Sequence, residues 1–122
     1  QDVTERMEAV KLMKKFLTVM PDHFPIAFVR SLVATSSVTK DSFRRIAIDL
    51  LRELSLVNSE VVHRCYGFRA LLEAALDPSL HDIAESIIVT ILQLVGNPRR
   101  GENTSDIFDQ RVLVSFSFVL FV

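Results

Sequence analysis

The sequence has little that could cross-link, hinge or anchor it. Its 122 residues include one cysteine, Cys65, so no disulfide can close within the chain and a reducing compartment is expected. Tryptophan is absent, and the three glycines and four prolines sit where helices should stop rather than spread through long loops. A net charge of −1 with no dense cluster of Lys and Arg argues against a nucleic-acid surface, which needs concentrated positive charge on one face. No signal-peptide pattern precedes the first helical stretch, and no membrane span is expected. The chain opens on Gln1 and reads as a piece of a longer protein. Hydrophobic side chains, by contrast, make up 49% of the residues, enough for a packed core.

Those side chains recur at helical spacing. Phe43, Ile46, Ala47, Leu50, Leu51, Leu54 and Val57 form one apolar stripe, with Arg44, Arg45, Asp49, Arg52 and Glu53 on the other side. Ile83, Ala84, Ile87, Ile88, Ile91, Leu92 and Val95 repeat the plan. Sliding the chain by about 38 residues lays Leu50-Leu51 on Ile88-Val89 and Leu54 on Leu92. The same slide backwards puts Leu12-Met13 under Leu50-Leu51 and Phe16 under Leu54. A period of this size belongs to helical-repeat proteins.

Taken in order, a first helix is expected from about Thr4 to Met20, with Met7, Met13 and Met20 as core filling, and Pro21 ends it. Pro25 suits the first turn of a second helix carrying Phe28, Val29, Leu32 and Val33. A third helix is expected near residues 39–58, capped by Thr39 or Asp41, with Asp41 four residues before Arg45 as a surface pair. Ser59 can cap a short helix that Gly67 breaks by taking positive φ. Residues 68–76 form the next helix, with Leu71, Leu72, Ala75 and Leu76 inward. Asp77-Pro78 turns the chain, Ser79-x-x-Asp82 resembles a capping box, and Gly96-Asn97-Pro98 stops the last helix. The expected fold is all-α, an armadillo/HEAT-like α-solenoid of about three helical repeat units over residues 1–100. A compact, non-repetitive helical bundle is the alternative.

Residues 101–122 change character. A polar stretch is followed by Val112-Leu113-Val114-Ser115-Phe116-Ser117-Phe118-Val119-Leu120-Phe121-Val122, which is too short to span a bilayer and has strong β character. It is expected to be non-helical, and either spurious sequence from a gene-model error beginning near Arg111 or a truncated membrane helix. A splice donor at the codons around Val112 would identify the former.

Chemistry is hard to find. His23, His63 and His81 lie in separate units, and His63-x-Cys65 would point about 200° apart on a helix, so no shared metal is expected. No nucleophile motif or phosphate loop is present, and no catalytic site or cofactor is expected. Glu5 with Glu8, and Asp49 with Glu53, read as solvated charge beside Lys or Arg. The basic doublets Arg44-Arg45 and Arg99-Arg100 are candidate protein contacts, set against a plain reading as solvated surface.

An ordered series of words carries a resemblance. It begins with Glu8-Ala9-Val10-Lys11-Leu12-Met13-Lys14-Lys15-Phe16-Leu17, then Phe24-Pro25 leading to Ser31-Leu32-Val33-Ala34. It continues with Arg45-Ile46-Ala47-Ile48-x-Leu50-Leu51-x-Glu53-Leu54-Ser55-Leu56-x-Asn58 and Glu60-Val61-Val62. It closes with Glu85-x-Ile87-Ile88-Val89-Thr90-Ile91-Leu92-x-Leu94 and Asn97-Pro98-Arg99-Arg100. Over residues 4–100 the chain resembles the amino-terminal armadillo-like domain of the Rictor family, large scaffold subunits of TOR complex 2. It departs from the family pattern at Ser59, where proline follows the asparagine in relatives, and at the single Gly67, where they carry two glycines. The resemblance implies a non-catalytic, cytoplasmic scaffold segment that helps hold TOR kinase and the other subunits together in growth and cytoskeletal signalling. Two other readings stand beside it. A generic armadillo or HEAT adaptor of the importin type would show repeated Trp, which is absent here. A small helical enzyme would need an inward polar constellation, and every inward stripe is apolar.

Overall fold

The computed structural model describes residues 2–96, and among them helices are joined by short turns with no strand. Six α-helices follow in order: α1 Val3–Val19, α2 Ile26–Ser36, α3 Arg44–Val57, α4 Ser59–Arg64, α5 Gly67–Leu76 and α6 His81–Gly96. Short 3₁₀ turns at Pro21–His23 and Pro78–Leu80 exploit prolines whose missing N–H leaves no bond unmade. The expected tail, residues 101–122, lies outside the described residues, as do Asn97 and Pro98.

The long helices α1, α3 and α6 run side by side in one direction. Near their amino ends Arg6 reaches Asp41 and Arg45 reaches Asp82. Further along, Arg52 Nη1 donates to Thr90 Oγ1 at 3.3 Å, and Asn58 Nδ2 donates to the Pro21 carbonyl at 3.0 Å. The shorter helices form a second layer, with α2 lying along α3, α5 along α6, and α4 wedged against α3 and α5. The core runs between the layers and is densest around Ile48, Leu50, Leu51 and Leu54 of α3 with Leu71, Ile87 and Ile91. Phe16, Phe24 and Phe28 meet edge to face, with centroids 5.9–6.3 Å apart, and so pin the end of α1 to the start of α2.

Several expectations need correcting. The third helix starts at Arg44, later than residue 39, because the Asp41 carboxylate accepts the Phe43 N–H at 2.8 Å and holds residues before it in a turn. Asp41 pairs with Arg6, not Arg45, since Arg6 approaches from α1 and also lies over the Phe43 ring at 4.3 Å. The cap of α4 is Asn58, whose Oδ1 accepts from the Val61 N–H, rather than Ser59. Asp77, rather than Ser79, caps the turn before α6, accepting from both the N–H and the hydroxyl of Ser79. Val57 and Leu76 are exposed at helix ends, and of the three methionines only Met13 is buried.

The joint between α4 and α5 is built differently from expectation. The residue with positive φ is Tyr66, at φ 60°, whereas Gly67 is the first residue of α5. Glycine is needed there for space. A Cβ on it would stand 2.5 Å from Val62 Cγ1 and 3.0 Å from the Val62 carbonyl oxygen. Val62 is fully buried and cannot step aside. Gly67→Ala should therefore destabilise the fold by about 1–2 kcal/mol despite alanine's better helix propensity. Chemical denaturation would check this, and a stabilised variant would show the contact to be soft.

Candidate interaction surface

Polar side chains are concentrated where helices meet, and two of these meetings share one design. Asp41 lies in the turn before α3: its Oδ1 accepts the N–H two residues on, and its Oδ2 accepts Arg6 Nη2 of α1 at 2.8 Å. Asp77 lies in the turn before α6. Its Oδ1 accepts the N–H two residues on at 2.9 Å, and its Oδ2 accepts Arg44 Nη2 of α3 at 2.8 Å. In each case an arginine in the first turn of one long helix clasps the aspartate that shapes the entry to the next. The partners were legible in principle, because Arg6 and Arg44 stand one repeat offset apart, as do Asp41 and Asp77 to within two residues.

This geometry sorts the basic candidates. Arg44 is buried: its Nε donates to the Ser36 carbonyl at 2.9 Å while Nη2 holds Asp77, so its placement on the solvated side does not stand. It acts as an internal clasp. Arg45 is exposed and grips Asp82 with both ends of its fork, at 2.8 and 3.2 Å, with a third contact to the Ser79 carbonyl. Arg99 and Arg100 lie outside the described residues.

The clasps also shift the acids. Arg44, helped by the Ser79 hydroxyl and N–H, holds the Asp77 carboxyl well below the usual carboxylate range, at about 2. Arg6 lowers Asp41 in the same way, and Arg45 lowers Asp82. Folded-state values below those of the unfolded chain mean that stability is fully present above about pH 4 and is lost as pH falls toward 2. A series of melts from pH 6 to pH 2 should be flat at first and then fall. Asp77→Asn should flatten the steepest part of that fall, leaving a smaller one from Asp41 and Asp82. An unchanged acid limb in the variant would count against the clasp.

Elsewhere the surface is less polar. Cys65 is buried and His63 exposed, and among the described residues no three His, Cys, Asp or Glu side chains are grouped to hold a metal. The outer side of α6 exposes Val89, Leu92 and Val95. Residues 78–95 are long and apolar enough to cross a membrane by length and composition alone, and Ile87, Thr90, Ile91 and Leu94 within them are buried in the core. Between α1, α2 and α3 lies a groove of about 260 Å³ whose walls include Val10, Met13, Phe28, Leu32 and Ile46.

The described residues thus define an all-helical module in which polar side chains clasp helix to helix. Comparison with known proteins gives it a family. The family described as "Rapamycin-insensitive companion of mTOR, N-term" matches residues 1–118, and the chain belongs to it. Rapamycin-insensitive companion of mTOR from Homo sapiens is 32% identical over 117 residues, covering 93% of this chain. Protein pianissimo A of Dictyostelium discoideum is 31% identical over 93 residues, covering 76% of this chain. Target of rapamycin complex 2 subunit TSC11 of Saccharomyces cerevisiae is 26% identical over 111 residues, covering 91%. The chain spans only 7–8% of the length of these relatives. No solved structure matches it.

Proposed function

We propose that this chain is a non-catalytic scaffold segment of a TOR complex 2 subunit, working in the cytoplasm to support assembly with the TOR kinase and its other subunits. Family membership supports the assembly, since one relative is by name a subunit of target of rapamycin complex 2. The repeated clasp carries the mechanical part. Arg6–Asp41 and Arg44–Asp77 join successive long helices by the same bonds, as in an armadillo/HEAT-like solenoid of about three units. Such a stack holds distant partners at fixed separation and binds them through a few anchors on an extended face. Arg45 is one proposed contact, and an acidic partner that takes it must displace Asp82. Arg99 and Arg100 are proposed beside it.

The test is a pull-down with the full-length protein and with a version lacking residues 1–100. TOR kinase should be recovered with the first and reduced with the second. Absence of the kinase from the intact protein's complexes would overturn the reading and leave a generic adaptor.

A further inference from the structure

We infer that the groove between α1, α2 and α3 is the seat of one more helix, supplied by the same polypeptide from the segment that precedes α1. The inference rests on the repeat-unit reading above and extends it to a particular surface. Along the chain, α2 lies on the long helix α3 and touches α5, which in turn lies on the long helix α6. α2 thereby covers the seam between α3 and α5, the two helices against which α6 packs. One unit earlier, the corresponding junction is made by α1, α2 and α3, and the groove opens there. Its walls come from all three helices, with Val10 and Met13 from α1, Phe28 and Leu32 from α2, and Ile46 and Leu50 from α3.

The occupant's nature follows from the lining. At about 260 Å³ the groove is smaller than typical small-molecule pockets, and it suits inserted side chains rather than a whole ligand. Its one cation, Arg6, is already neutralised by Asp41, so the occupant needs no acidic group and its inserted face is apolar. The geometry calls for an amphipathic helix about as long as α2 or α5, with anchors at i, i+3, i+4 and i+7. Sequence order decides the source. Both α2 and α5 precede the long helix on which they lie, separated from it by a short turn. The helix that stands to α1 as α2 stands to α3 therefore precedes α1, and the relatives are long enough to supply it.

The test measures thiol accessibility. Ser31 is exposed on the groove side of α2, whereas Arg30 is exposed about 100° around the same helix and outside the groove. Ser31→Cys and Arg30→Cys are made separately in the full-length protein, purified without partners, and in the 122-residue chain. Maleimide labelling of each site is followed by peptide mass spectrometry, with buried Cys65 as the slow reference. In the 122-residue chain both sites should label fast. In the full-length protein Ser31→Cys should slow by about tenfold or more while Arg30→Cys stays fast. Equal rates at Ser31→Cys in the two proteins would overturn the proposal, because the seat would be open. Protection only when other complex subunits are added, or only at high concentration of the 122-residue chain, would also overturn it by giving the seat to another polypeptide or a second copy. The labelling uses no TOR kinase, so it can fail or succeed independently of the pull-down.

Discussion

Leu51→Ala should cost the fold about 3–4 kcal/mol, the upper part of the range for buried leucines. Leu51 has no exposed surface and sits at the middle of α3, the helix that touches all the other five. Truncation there removes apolar contacts and leaves a cavity, and a helix held on several sides cannot shift to fill it without giving up contacts elsewhere. For a domain of this size each kcal/mol lowers the melting midpoint by roughly 4–8 °C. The loss would take up much of a net stability of the order of 5–15 kcal/mol. Val57→Ala is the internal comparison, because Val57 lies on the same helix but is 45% exposed. It should move the midpoint by no more than a few degrees. Similar shifts for both variants, by thermal melts followed by circular dichroism, would mean that α3 is not the central element of the core.

The same central position explains where sequence reading fell short. Helix existence and order were legible throughout, because the apolar residues of each segment fall at helical spacing and Pro21, Pro25 and Pro78 mark the joints. Ile48 and Ser55 were not legible as interior positions, since the stripe on α3 assumes a helix with one wet face. Covered on several sides, α3 buries these residues as well. The reverse error arises on α6. The slide of about 38 residues equates Leu51 and Leu54 with Val89 and Leu92, which are 44% and 45% exposed. Among the described residues α6 is flanked by a long helix on one side only, so its interior face is Ile87, Thr90, Ile91 and Leu94. Periodicity gives a stripe, and neighbours decide how wide it is.

The polar contacts were harder still. Asp41 and Arg45 have favourable spacing along one chain, yet each takes a partner from a neighbouring helix. A pair in the same helix is worth only a few tenths of a kcal/mol, so tertiary placement overrides it easily. The positive φ was assigned to Gly67 because glycine bears it most cheaply, but close packing against Val62 has the stronger claim on that glycine and Tyr66 takes the left-handed position instead. The buried role of Arg44 was hidden by its neighbour, since a doublet of arginines reads as surface charge until the structure shows which side each one takes.

That doublet yields the second large effect. Arg44→Ala should destabilise the fold by about 2–3 kcal/mol, because it leaves the buried Ser36 carbonyl without its charged donor and removes the part-buried bond to Asp77. Arg45→Ala should cost far less, as expected for a solvent-screened exposed pair. Arg44→Lys should rescue little, because an ammonium cannot serve the Ser36 carbonyl and the Asp77 carboxylate together through a rigid fork. Arg44→Ala combined with Asp77→Asn should lose less than the two single losses added, since the second change removes a charge already left without its partner. Denaturant titrations of the four variants would measure this coupling. An additive pair, or equal losses at the two arginines, would mean that the clasp does not hold α3 to the entry of α6. A coupled pair would show this joint between successive long helices to be energetically real, and the same cycle at Arg6 and Asp41 would then ask whether the chain uses it twice.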